Sequence, residues 1–118
     1  MAKTILIVDD DPDILDTARE ILEDAGYTVY AEGNGAAALE KLKSSPADLA
    51  LFDFNLPDVK GTDLAVQAKH VCPHMVIILM TGETHIALGT AQGSIDTILM
   101  KPVSPTQMLN VIRDKVDS

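Results

Sequence analysis

A doubly wound α/β fold, a parallel sheet covered by helices on both faces, is the architecture this sequence predicts. Three observations carry it. Five short apolar runs recur, at residues 5–8, 27–31, 49–52, 75–80 and 98–100. Segments of helical, amphipathic period separate them. The 118 residues, 47% hydrophobic and 23% charged, suit one domain with one core. Spacing between the runs leaves no room for a second domain, so a single domain over 1–118 with no output domain is expected, its crossovers right-handed.

The segments between the runs justify the helices in turn. Asp11 is an expected N-cap, with Pro12 at the first helical position, where its missing N–H is not needed. Ile14, Leu15, Ala18, Ile21, Leu22 and Ala25 then share one face before Gly26 stops the helix. Asn34 is placed to cap a second helix carrying Ala38, Leu39 and Leu42, and Thr62 a third carrying Leu64, Ala65, Ala68 and Val71. The fourth predicted helix, "ETHIALGTAQG", is the weak one and the expected mobile element, because it contains Gly89 and Thr90. A glycine costs about 1 kcal/mol relative to alanine inside a helix. A fifth starts at "SPTQ", where Ser104 and Gln107 have capping-box spacing, and continues with Met108, Leu109, Ile112 and Val116. Met75, Met80, Met100 and Met108 fall on core-facing elements and are expected to pack.

Composition narrows the partners. Eighteen acidic residues against nine basic give a formal charge of −9. That disfavours nucleic acid or an anionic membrane and suits a cation or a basic protein surface. Cys72 is the single cysteine, which excludes an intrachain disulfide and a thiolate zinc site, so a reducing, cytoplasmic setting is expected. The apolar start is too short for a signal peptide, and no apolar stretch is long enough to span a membrane. His70, Cys72 and His74 in "HVCPH" read as a helix-to-strand loop rather than a metal site.

In an open parallel sheet, ligands bind beyond the carboxyl ends of the strands. Asp9 and Asp10 follow the first strand, Asp53 the third, Thr81 the fourth and Lys101 the fifth. Two like charges about 4 Å apart repel by roughly 1 kcal/mol in water and about 4 kcal/mol near a protein surface. Three carboxylates converging there form a site for a hard divalent cation such as Mg²⁺, which offsets that repulsion. A carboxylate is also a nucleophile toward a phosphoryl group, whose charge is stabilised by metal, ammonium and hydroxyl donors. Asp11, one residue further on, reads as the helix cap.

The strings "ILIVDDDPD", "LFDFNLPDVKG", "ILMTGE" and "LMKPVSP", in this order, resemble the receiver domain of two-component response regulators across essentially the whole chain. The resemblance implies a flavodoxin-like fold of five strands in the order 2-1-3-4-5. It implies Asp53 as phosphoacceptor, charged by a histidine kinase or phosphotransfer protein, with Thr81 as the switch hydroxyl and Lys101 as the partner of the phosphoryl group. Asp9, Asp10, Asp53 and the backbone carbonyl of Asn55 would then hold Mg²⁺, and the bond from Lys101 to Pro102 is often cis in the family. Signal output would pass through the fourth helix, fifth strand and fifth helix to a downstream target or an output domain, with the chain a monomer or a phosphorylation-dependent dimer.

Three positions depart from the family pattern. Ile98 stands where an aromatic residue usually swings, Gly82 where a small alanine is common, and Lys60 where many relatives are acidic. Asn55 and Glu83 occupy the positions that modulate acyl-phosphate lifetime, and a polar and an acidic residue there suit the positioning of water and a short-lived state. Two other functions fit less well. A Mg²⁺-dependent phosphohydrolase of the haloacid-dehalogenase kind needs a second Asp where Asn55 stands, and a nucleophile on the first strand. A flavodoxin needs a phosphate loop after that strand, where "DDDPD" would repel a phosphate.

Overall fold

Every apolar run forms a strand in the computed structural model, which describes residues 2–83 and 85–116. The strands are β1 (Thr4–Val8), β2 (Thr28–Glu32), β3 (Leu49–Asp53), β4 (Val76–Thr81) and β5 (Thr97–Met100). All pair in parallel, in the order β2-β1-β3-β4-β5. Strand bounds differ from the expected ones by a residue. The start of β2 moves from Tyr27 to Thr28 because the Tyr27 N–H donates to Leu22 O at 3.1 Å, in the turn that closes the first helix.

Continuous apolar runs in the central strands mean that both faces are covered. Side chains alternate between the faces with period two. Leu6, Val8, Phe52, Ile77 and Leu79 pack on one side with helices α2 (Gly35–Ser44) and α3 (Gly61–Val71). Ile5, Ile7, Leu51, Ile78 and Leu99 pack on the other with α1 (Pro12–Asp24) and α4 (Pro105–Val116). Complete burial of one such side chain stabilises the fold by about 1.5–3 kcal/mol.

Three of the expected caps are in place. Asp11 accepts from Asp13 N at 2.9 Å, Asn34 from Ala37 N at 2.8 Å and Ser104 Oγ from Gln107 N at 3.1 Å. The Thr62 cap is not. Helix α3 begins at Gly61, with Lys60 at the cap position and no side-chain bond, and Thr62 is buried inside the first turn. A Cβ on Gly61 would lie 2.5 Å from Asp53 O and 2.8 Å from Leu79 Cδ1. Only glycine lets the helix start so close to β3.

The fourth predicted helix does not form among the described residues. Only a 3₁₀ turn, Gly89–Ala91, stands between β4 and β5, and Thr84 lies outside the described residues. Gly89 has a φ of +55°, a left-handed conformation that interrupts a right-handed helix. Ile86, Leu88 and Ile95 nonetheless pack on the core, so the crossover covers the sheet without regular structure. Two apolar residues expected inside are exposed, Ile14 on α1 at 42% and Met100 on β5 at 43%, whereas Met75, Met80 and Met108 are buried.

Candidate functional site

The carboxyl edge of the sheet assembles the site one strand at a time. After Val8 the Asp9 N–H donates to Glu32 O at 3.2 Å, which extends the β1–β2 ladder and fixes the first carboxylate. Asp9 Oδ1 accepts from Asp11 N at 3.0 Å, so the turn into α1 orients it. Asp53 is the last residue of β3 and is buried, and its neighbour in register on β4 is Met80. One carboxylate oxygen each from Asp9, Asp10 and Asp53 lies within 4.8 Å of the others, with Asp10 the exposed member.

Lys101 supplies the opposing charge. Its N–H donates to Thr81 O at 2.7 Å, which carries the β4–β5 pairing one step beyond the strand, and its peptide bond to Pro102 is cis. The ammonium stands 2.7 Å from Asp53 Oδ1 and 3.8 Å from Asp9 Oδ2. The second distance is too long for a hydrogen bond. Asp9 Oδ2 is therefore buried with no hydrogen-bond partner among the described residues.

Burial pushes the Asp9 carboxyl above its ordinary value of 3.8, and the Asp11 N–H works against that. Proximity to Asp53 and Asp10 raises it further, and Lys101 lowers it. An unpartnered buried carboxylate oxygen beside two more carboxylates is costly unless a cation completes it. The donor set is all hard oxygen, which fits a divalent cation of the Mg²⁺ class. His70, Cys72 and His74 do not come together as a metal-binding group; among the described residues the acidic trio is the one such cluster.

The remaining predicted residues sit at the rim. Thr81 ends β4 and is buried, and its Oγ1 accepts from Glu83 N at 3.0 Å rather than bonding a carboxylate. Asn55 is exposed, two residues beyond Asp53, in the loop that leads to α3. Phe54 N donates to Met80 O at 2.9 Å and Gly61 N to Phe54 O at 2.7 Å, so this loop is drawn tightly back onto the sheet. A cavity of about 630 Å³ opens beside Asp9 and Lys101, with Ile14, Ile21, Val103 and Met108 among its walls between α1 and α4.

Two contacts in the β3–α3 loop had no sequence signal. Asp58 reaches 23 positions back to accept from Gly35 N and 22 back to accept from Ala36 N, both at 2.9 Å. These two bonds hold its carboxyl below the ordinary value. Helix α2 is thus capped twice, by Asn34 from its own turn and by Asp58 from the loop beside the site. Lys60, legible only as a change of charge, donates to Asn55 Oδ1 at 2.8 Å. A lysine five residues from an asparagine announces nothing until the loop folds back.

Comparison with known proteins agrees with this geometry. A family model described as "Response regulator receiver domain" matches residues 5–113. The response regulator receiver protein CpdR of Brucella abortus is 38% identical over 86 residues, 73% of this chain and 72% of that protein. The DNA-binding response regulator MtrA of Mycolicibacterium smegmatis is 29% identical over 98% of this chain, which spans 51% of MtrA. Among solved structures, the CheY-like receiver domain protein of Methanospirillum hungatei superposes with a TM-score of 0.93 at 39% identity, over 99% of this chain and 95% of that one. The chemotaxis regulator CheY4 of Vibrio cholerae does so with a TM-score of 0.86 at 25% identity, over 97% and 98%. The family consists of signalling proteins rather than turnover enzymes, and no helix among the described residues is long and apolar enough to cross a membrane. With its strand order and its acidic edge, this chain belongs to the response regulator receiver domain family of two-component systems.

Proposed function

We propose that the chain is a phosphoacceptor switch, charged on Asp53 by a histidine kinase or phosphotransfer protein. The observation that carries this reading is the setting of Asp53. It is a buried strand-end carboxylate, 2.7 Å from the Lys101 ammonium and grouped with Asp9 and Asp10. Asp53 attacks the phosphorus of the donor, a bond from carboxylate oxygen to phosphorus forms, and the bond from phosphorus to the donor's leaving atom breaks. Lys101 holds Asp53 in place before transfer and afterwards pairs with the phosphoryl oxygens. The Thr81 hydroxyl, which now accepts from Glu83, turns to donate to the same oxygens.

Asp9, Asp10, Asp53 and the Asn55 backbone carbonyl are the proposed holders of Mg²⁺. The Asn55–Lys60 bridge is closed through Phe54 O, which leaves the Asn55 carbonyl for that role. When bound, the ion offsets the charge of the carboxylates and of the phosphoryl group. Beyond the site, movement of Thr81 pulls on Lys101 through their 2.7 Å backbone bond and so on β5. Strand β5 carries the exposed Ile98 (40%) and Met100 (43%), an apolar face to offer a downstream protein or output domain. With isoleucine at 98, this output uses surface shape rather than a swinging ring.

Incubation with Mg²⁺ and acetyl phosphate, followed by intact mass, tests the assignment. Wild type should gain one phosphoryl group and Asp53→Asn none. No gain on wild type, or equal gain on the variant, overturns it. Steady hydrolysis of an added phosphomonoester would favour a phosphohydrolase instead.

A further inference from the structure

Phosphoryl transfer as proposed leaves one rim contact unused. Asn55 and Lys60 face each other as a bridged antiparallel pair, and Lys60 Nζ donates to Asn55 Oδ1 at 2.8 Å. An ammonium has donors only, so the atom it holds is the amide oxygen. Lys60 is steadied in turn by the Phe54 ring, whose centroid is 5.2 Å from Nζ. The backbone bond from Gly61 N to Phe54 O, at 2.7 Å, closes the loop under the pair.

We propose that Lys60 is a positioning residue that prolongs the phosphorylated state of Asp53 by withdrawing the Asn55 side-chain oxygen from water at the mouth of the site. The inference rests on Asp53 being the phosphoacceptor. In hydrolysis of the acyl phosphate, a water oxygen bonds to phosphorus as the bond to the Asp53 carboxylate breaks. The electron pair returns to the carboxylate and the water proton leaves to solvent. A side-chain acceptor beside the phosphoryl group orders and polarises that water. The Asn55 amide oxygen is such an acceptor, and the Lys60 ammonium competes with water for its lone pairs. The short lifetime expected from Asn55 and Glu83 took no account of the Lys60 contact, and this proposal lengthens it.

The test times the loss of the phosphoryl mass after the donor is removed, in Mg²⁺. Lys60→Met should lose it roughly three- to tenfold faster, the scale of one exposed charge-assisted hydrogen bond. Lys60→Arg, which keeps the donor, should retain the wild-type lifetime. In an Asn55→Ala background Lys60→Met should have no further effect, since the acceptor is gone. Raising salt to about 1 M should shorten the lifetime of wild type but not of Lys60→Met. An unchanged lifetime in Lys60→Met, or the same acceleration with and without Asn55, overturns the latch while the Asp53 assignment stands. Failure of wild type to accept a phosphoryl group at all overturns both.

Discussion

The two ends of the carboxyl edge are built to different standards. Around β1 and β3 every connection is tied: Asp9 to Asp11, Asp58 to the start of α2, Lys60 to Asn55 and Gly61 to Phe54. Between β4 and β5 the chain has a 3₁₀ turn, a left-handed glycine and three partly buried side chains resting on the core. The proposed phosphoacceptor thus sits on the constrained side and the proposed output surface on the loose one. A site needs its atoms held to a fraction of an ångström, whereas an output surface needs two arrangements close in energy.

Gly61 and Gly89, each at the start of a helical turn, give the largest expected contrast. Gly61→Ala forces a Cβ against Asp53 O and Leu79, and should cost roughly 3 kcal/mol, the upper range for overpacking, read as a lower urea midpoint. Gly89→Ala meets nothing within 4 Å and should lose only about 1 kcal/mol from its left-handed φ. Equal losses at the two positions would remove the distinction between the two ends.

Cation binding should sharpen it from the other direction. Mg²⁺ at a hundredfold excess over its dissociation constant should stabilise the folded chain by about 2.7 kcal/mol relative to chelator. Asp9→Asn should raise the melting temperature in chelator and blunt the response to Mg²⁺. The sign follows from the raised Asp9 carboxyl: its charge destabilises the fold above the folded value and is relieved as pH falls toward 3.8. The advantage of Asp9→Asn in chelator should accordingly shrink on acidification. If chelator and Mg²⁺ give the same melting temperature, the acidic cluster is not a cation site.

Asp58 should behave oppositely and more weakly. Its carboxyl is lowered by the Gly35 and Ala36 N–H groups, so its contribution is present above 3.8 and is lost as pH falls through the lower folded value. Asp58→Ala should lower the melting temperature modestly at neutral pH, by the same amount down to about pH 5, and the gap should close in stronger acid. A gap independent of pH would mean that the carboxylate does not cap α2.

Much of this was legible in local sequence. Apolar runs located five strands, and Asp11, Asn34 and Ser104 cap helices where a residue two or three positions away needs an acceptor. Four strand ends placed Asp9, Asp53, Thr81 and Lys101 along one edge, because parallel strands all exit the same way. The errors were of another kind. Thr62 had the right chemistry for a cap, but the approach of Gly61 to β3 set the helix start one residue earlier. Met100 and Ile14 carried the right hydropathy, yet Met100 lies on an edge strand and Ile14 on the wall of a cavity.

Strands, local caps and the placement of acidic and basic residues at the strand ends follow from neighbours within a few positions, where hydrophobic period and hydrogen-bond geometry act directly. Tertiary structure alone decided which carboxylate oxygen is buried without a partner, which aspartate Lys101 prefers, and which side chains steady the rim. The bonds from Asp58 to α2 and from Lys60 to Asn55 join groups that the chain must first fold back to bring together. Their strength depends on distances that no spacing along the chain encodes.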